Sequence, residues 1–426
     1  MTLDSARVRR LAATLYAYAF LADLVLLYPV YALLFSDTGL SVWQISSLFV
    51  IWSAGSTLLE VPSGAWADAV SRRLLLCLAP LAGAAAFALW VLAPSYWAFA
   101  VGFLLWGAGG ALASGSLEAL VYSELARLGA AHRYARTMGR ARTAETVGVL
   151  VATVLAGPVL AAGGYPAVGA ASVLAGILAA LVATRFPEHR TTAPALPAAP
   201  VLPAEGAGEG EGEGYEKGEG DDLGWWASLR AGLTEVRADP AVRTAVLLLA
   251  VVTAVWGALD EYTPLLAAGT GVTRETVPML LLLVWLGVTA GGLLTPLGER
   301  LNSRGYAVLL AGSGVALAGG ALSTDPAGFV LVAIAFCGFQ LATVLADARL
   351  QDRITGASRA TVTSLAGTAT DVATIGVYGA YALVAAGAGN GVAFAVLSVP
   401  YLIVALAVTV RRTARVPVAG RGKIGP

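Results

Sequence analysis

Eight carboxylates stand inside long apolar stretches of this 426-residue sequence: Asp23, Glu60, Glu118, Glu145, Asp260, Glu261, Asp347 and Asp371. A charged group within a hydrocarbon-spanning segment is costly, and its presence is by default a functional signal. A carboxyl group there can load and release a proton, or attract a cation. Counting residues at about 1.5 Å of rise each sets Asp23 and Asp371 close to the middle of their stretches. Asp23 is the first candidate for proton coupling and Asp371 the second, followed by Glu118 and Asp260. The two histidines, His132 and His189, fall between apolar stretches, so a proton relay rests on carboxylates.

Helical spacing gathers aromatic and hydroxyl groups around these acids. Tyr16, Phe20 and Asp23 share a face, and Trp106, Gly110, Ser114, Glu118 and Tyr122 form an i+4 ladder. Thr253, Trp256, Asp260 and Thr263 make a third face; Thr363, Gly367, Thr370, Asp371, Thr374 and Tyr378 make a fourth. From these, Tyr16, Phe20, Trp106, Ser114, Trp256, Thr370 and Tyr378 are the candidates for lining a substrate cavity. Aromatic rings beside carboxylates suit a partly apolar, cationic ligand. Interface anchoring and helix packing account for a single such aromatic equally well.

The elements that carry these groups follow from composition. The chain is 58% apolar and 13% charged, with mean hydropathy +0.75. A soluble domain carries about a quarter charged residues, and a nucleic-acid binder needs a basic face; both classes are excluded. A helix needs about 20 apolar residues to cross a bilayer. Twelve stretches qualify: 11–35, 43–67, 74–93, 97–121, 141–162, 166–184, 242–267, 276–297, 306–322, 328–348, 360–386 and 391–410. The first exceeds a signal-peptide core of about 7–15 residues. The expected fold is an all-α polytopic membrane protein.

With the N-terminus inside, 26 of the 27 basic residues fall on the cytoplasmic side, and only Arg274 falls outside. That asymmetry sets the topology, with both termini cytoplasmic in a cell membrane. The chain divides into residues 1–189, a linker over 190–240, and residues 241–426. Within the linker, 205–222 (EGAGEGEGEGYEKGEGDD) holds eight acids and one lysine, the composition of a solvated acidic tether. Leu223 to Arg237, with Trp225 and Trp226, has the pattern of an amphipathic helix on the inner leaflet. Three correspondences near one offset indicate duplicated halves: Gly39-Leu40-Ser41 with Gly271-Val272-Thr273, Asp68 with Glu299, and Glu118-Ala119 with Asp347-Ala348. Cys77 and Cys337 are isolated small residues in apolar runs and form no metal or disulfide framework.

The run from Leu59 to Arg73 (LEVPSGAWADAVSRR) resembles the major facilitator superfamily signature between the second and third helices. Gly64, Asp68, Arg72 and Arg73 match that pattern; Ala69 stands in place of its first basic residue and Ser71 in place of its second glycine. Gly39 to Ile45, Ser114 to Tyr122 and Arg359 to Ser364 resemble a bacterial drug-efflux-like branch. The resemblance implies twelve transmembrane helices in two pseudo-symmetric six-helix bundles around a central cavity, worked by alternating access. It also implies that spans one, four, seven and ten line the cavity while three, six, nine and twelve are peripheral. Asp68 is then part of a cytoplasmic gate, accepting hydrogen bonds from a helix N-terminus or pairing with Arg72 or Arg73; an ordinary loop salt bridge is the alternative. Glu60, Gly64 and Asp347 join that expected gate. In span five, Gly148, Gly157-Pro158 and Gly163-Gly164 partly resemble the glycine/proline motif of proton-driven exporters, and equally suit close helix packing.

There is no Walker phosphate loop, so ATP is not the direct energy source. No cofactor or metal is expected, nor an enzymatic activity. The expected partners are a small-molecule substrate, protons and the lipid bilayer, with the protein acting as a monomer. Three functions stay open at this level: proton-coupled export of amphipathic molecules, uptake or facilitated passage of a nutrient, and a non-transporting receptor of the same fold.

Overall fold

The computed structural model describes residues 3–189, 234, 236–237, 239–354 and 359–413. The acidic tract and all but the last residues of the expected amphipathic helix lie outside them. So do the side chains of residues 60–69.

The described residues are helical, in the order α1 (Leu3–Ala22), α2 (Tyr31–Asp37), α3 (Val42–Ala69), α4 (Arg72–Leu92), α5 (Tyr96–Ala113), α6 (Ser116–Arg127) and α7 (Tyr134–Ala183). Then come α8 (Pro240–Asp260), α9 (Thr263–Ala268), α10 (Val277–Leu293), α11 (Thr295–Gly298), α12 (Ser303–Leu322), α13 (Gly328–Gln351), α14 (Arg359–Ala388) and α15 (Asn390–Thr413). Nine helical stretches among the described residues are long and apolar enough to cross a membrane unaided. One of them, Ala131–Ala183, holds two expected spans, because Gly163 and Gly164 leave helical geometry between its legs. The apolar α10 and the broken pair α1 and α2 occupy the places of the remaining expected spans.

Three expected spans are interrupted rather than continuous. In span one, Pro29 removes the N–H that would bond to Val25, and its ring crowds that carbonyl. The chain answers with i to i−3 bonds, Tyr28 N–H to Val25 O at 3.1 Å and Val30 N–H to Leu27 O at 3.0 Å. The Leu27 N–H donates instead to Ser172 Oγ of α7, at 2.9 Å in a buried setting. Asp23 therefore sits in the break following α1, not on a helix face. Span four breaks at Gly115, whose φ of +68° favours glycine. Span seven breaks before Pro264, which cannot bond to the Asp260 carbonyl; the Thr263 hydroxyl donates to it at 2.6 Å.

Among the first six spans, α1 packs on α7, α3 on α5, and α4 on both α5 and α7. Among the last six, α12 packs on α13 and α15, α10 on α13, and α8 on α13 and α14. Between the two sets, α3 meets α14 and α7 meets α10. Exchanging corresponding spans of the halves (two with eight, five with eleven) turns the first of these contacts into the second, as duplication requires.

Close approach relies on glycine. A Cβ at Gly287 would collide with the Ala333 carbonyl, and one at Gly291 with the Cys337 carbonyl, so α10 and α13 touch backbone to backbone. Gly291→Leu is expected to cost about 1–3 kcal/mol through overpacking, read as a lowered thermal midpoint in detergent. An unchanged midpoint would contradict this contact.

The buried apolar residues form three clusters. The largest joins both halves, with Phe35, Phe49 and Phe103 from one and Tyr262, Phe336 and Tyr381 from the other. A second holds only residues 8–186, and a third only residues 242–366. These smaller clusters lie at the end of the molecule that carries α1's start and the last turns of α13. The halves thus share one core at one end and have separate cores at the other.

Candidate transport pathway

A cavity of about 490 Å³ lies within the first six spans. Asp23, Trp106, Ser114 and Glu118 all line it, so four of the singled-out residues come together. Arg142 and Glu145 join them: Arg142 pairs with Glu145 at 3.1 Å and with Glu118 at 3.4 Å. Three carboxylates face one guanidinium, and the wall carries a net negative charge when they are ionised. Its aromatic side is built on Trp106, which stacks on Trp52 at 5.6 Å and meets Phe87 edge-on at 5.4 Å. Such a wall fits a cationic, partly apolar guest.

Pro80, Gly83 and Phe87 of α4, and Ser172 and Gly176 of α7, also line this cavity. Spans three and six therefore contribute to it, in addition to spans one and four. On α1 the lining residues are Tyr18, Ala19 and Ala22, while Tyr16 packs into the neighbouring apolar cluster and Phe20 is half-buried outside the lining. Periodicity was extended from Asp23 through a break, which rotated the expected face away from Tyr18. Similarly, Gly115 divides the expected ladder of span four: Tyr122 is exposed and meets Tyr134 edge-on at 5.4 Å. Gly148 lets α7 reach the break after α1; a Cβ there would stand 2.5 Å from the Phe20 carbonyl oxygen.

The candidates of the last six spans are dispersed. Asp371 accepts a hydrogen bond from Thr57 Oγ1 at 3.2 Å, a link between α14 and α3 and hence between the halves. Trp256 donates to Thr343 Oγ1 at 3.0 Å, and the Thr370 hydroxyl bonds back to Ala366 O at 2.9 Å. Tyr378 is 2% exposed, packed on Phe49 and Tyr262 in the shared core rather than presented to the main cavity. Asp260 and Glu261 line a void of about 10 Å³ with Tyr28, Tyr31 and Trp285. Glu261 is buried, 8% exposed, and does not face an open vestibule.

The shared core closes one end of the molecule. Ser46 and Tyr262 hydrogen-bond at 2.6 Å across the halves, and Tyr262 stacks on Tyr381 at 3.6 Å. A Cβ at Gly157 of α7 would collide with the Glu275 carbonyl in the segment before α10. Asp37, which sequence reasoning passed over, accepts from Arg274 at 2.7 Å and from Tyr165 at 2.7 Å. Arg274, the single basic residue assigned to the outer face, thus ties the two halves. Beside it, half-buried Glu275 is held below the usual carboxylate range by a hydrogen bond from Thr273. Because the Arg274–Asp37 pair is partly solvated, Arg274→Gln is expected to weaken closure by under about 1 kcal/mol. Spin-label distances across this end should move little, and a full opening would show the pair to be worth more.

The side chains of Glu60 and Asp68 and the surroundings of Gly64, in the expected gate, lie outside the described residues. Arg73 and Asp347 are exposed. At the N-terminus of α4 the acceptor is Glu188: it takes the Arg72 backbone N–H at 2.7 Å and the Ser71 hydroxyl at 2.5 Å. Carboxylate-on-helix-terminus chemistry of the kind expected of Asp68 is made here by a residue after span six. Glu188 carried no sequence signal beyond its charge.

A broken-helix bundle of this kind, with halves joined at one end over a charged cavity, is the architecture of a membrane transporter. The sequence matches the Major Facilitator Superfamily over residues 13–377, and the chain belongs to that superfamily. No curated protein matches it in sequence. Among solved structures it is similar to the nucleoside transporter NupG, at 11% identity and TM-score 0.72, covering 94% of this chain and 98% of that one. It is also similar to an inward-facing, unoccupied bacterial homolog of the human lysosomal transporter Spinster, at 18% identity, TM-score 0.66 and 96% coverage of both chains. A third is the D-xylose–proton symporter, at 15% identity and TM-score 0.62, covering 95% of this chain and 97% of that one. At these identities the likeness is one of fold.

Proposed function

We propose that this transporter exports amphipathic, cationic small molecules in exchange for protons, as a monomer in the cell membrane with both termini cytoplasmic. The observation that carries the reading is the cavity walled by Asp23, Glu118, Glu145 and Trp106. Three carboxylates and a stacked indole attract a cation with an apolar body, and repel an anion. The distribution of arginines supports a cytoplasmic position for the end with separate cores, from which the cavity would load. Asp23, at a helix break within that wall, is assigned the coupling proton; Asp371, Glu118 and Asp260 are assigned secondary roles. Residues 1–189 and 241–426 are then the two rocking bundles, joined by the acidic linker.

Loading and protonation compete for one carboxylate. When Asp23 is ionised it holds the cation; when protons arrive from the outer side they discharge the guest. That competition turns a proton gradient into outward flux without any covalent step.

Ethidium, a fluorescent aromatic cation, supplies a probe. Inverted membrane vesicles containing the protein should accumulate it when acidified inside, relative to vesicles without the protein. Accumulation only in right-side-out vesicles would establish uptake, and none in either would remove the cationic-substrate reading.

A further inference from the structure

A second concavity, about 410 Å³, lies apart from the transport cavity at the terminal end of the first six spans. Every ionisable side chain lining it is of a basic type: Arg7, Arg10, Arg127, Arg185 and His189. Three elements converge to make it. Arg7, Arg10, Leu11 and Thr14 form an i, i+3, i+4, i+7 stripe on α1; Arg127 and Leu128 end α6; Arg185, Pro187 and His189 follow α7.

The arrangement is built, not a loose fringe. Glu124, 2% exposed, holds Arg127 at 3.0 Å and the His189 ring at 3.0 Å, and it also accepts the His189 backbone N–H at 3.0 Å. One buried acid thereby anchors two walls of the pocket and offsets one of its charges. The guanidiniums of Arg7, Arg10 and Arg185 line a shared hollow. Such forks match phosphate oxygens in geometry and charge.

Position selects the source of the phosphate. Leu11 begins the first long apolar stretch, so the pocket stands where that stretch meets the interface. Leu11, Leu128 and Pro187 supply its apolar side. We propose that this pocket binds the phosphate headgroup of an anionic phospholipid, of the phosphatidylglycerol class. The inference is independent of the transported substrate.

The test uses the full-length protein in a neutral maltoside detergent. Phosphatidylglycerol added as mixed micelles should raise the thermal midpoint saturably, and phosphatidylcholine should not. In Arg10→Gln/Arg185→Gln the half-saturating phosphatidylglycerol concentration should rise about 30-fold, at roughly 1 kcal/mol per interfacial arginine. Arg300→Gln/Arg304→Gln, on the other half, should leave it unchanged. Native mass spectrometry of the wild type, counting one retained phosphatidylglycerol, keeps the proposal testable if the first variant folds poorly. Equal losses in both double variants, or full retention by Arg10→Lys/Arg185→Lys, would reveal diffuse charge attraction and overturn the site. Saturation by inorganic phosphate at millimolar level, with no further effect of lipid, would overturn the lipid source.

Discussion

Asp23→Asn is expected to abolish pH-driven accumulation of ethidium in proteoliposomes, while gradient-free exchange across the membrane continues with weakened affinity for the cation. A gradient of one pH unit is worth about 1.36 kcal/mol per proton. With one proton exchanged per guest, a two-unit gradient sustains roughly a hundredfold accumulation at equilibrium. Asparagine keeps the size and polarity of the side chain but cannot carry the proton. The variant should therefore relax to equal concentrations rather than merely slow down. Asp371→Asn should retain accumulation at a reduced rate, because that carboxylate is engaged with Thr57 between the halves. Accumulation undiminished in the Asp23 variant would sink the coupling assignment, whatever the fate of Asp371.

The second large effect is conformational. Gly157 faces the Glu275 carbonyl with no room for a side chain, at the end where the halves are joined. Gly157→Val places two methyl groups in that contact, and closure there must distort the backbone or fail. Overpacking of this kind costs about 1–3 kcal/mol, or roughly a 5- to 150-fold shift toward the state open at that end. Double electron–electron resonance between labels on the two halves, outside this contact, should show the longer distance gaining population. The same substitution leaves the cavity wall untouched, so binding of ethidium should survive while turnover falls. A distance distribution identical to wild type would mean that α7 and α10 part company elsewhere.

The sequence reading succeeded where a single period governs and failed where that period is interrupted. Apolar runs and turn residues specified the helical class and the bend at Gly163-Gly164, because each depends on residues adjacent in the chain. Pro29 and Pro264 were visible, yet both lay inside runs apolar enough to read as unbroken helices. What each break does depends on a distant partner: Ser172 from α7 receives the Leu27 N–H, and no local pattern reveals that. Extending a 3.6-residue period across the first break selected Tyr16 and Phe20, whereas the backbone turns Tyr18 toward the cavity. Asp37 and Glu188 were missed for a different reason. Both lie at the ends of spans, where a charged residue is ordinary, and their importance comes from Arg274 and from the N-terminus of α4.

Glycines of span five illustrate the same limit. Their spacing invited a comparison with an exporter motif, but the structure separates their duties. Gly148 admits the break near Asp23, and Gly157 admits the opposite half.

The joined end has a thermal consequence. Phe49, Tyr262 and Tyr378 are packed across the halves there, and opening that end exposes their rings to water. Exposure of apolar surface carries a positive heat-capacity change, and its cost weakens on cooling. The balance between the two faces of the transporter is therefore a curved function of temperature, with cold drawing the population toward the face that this structure holds shut.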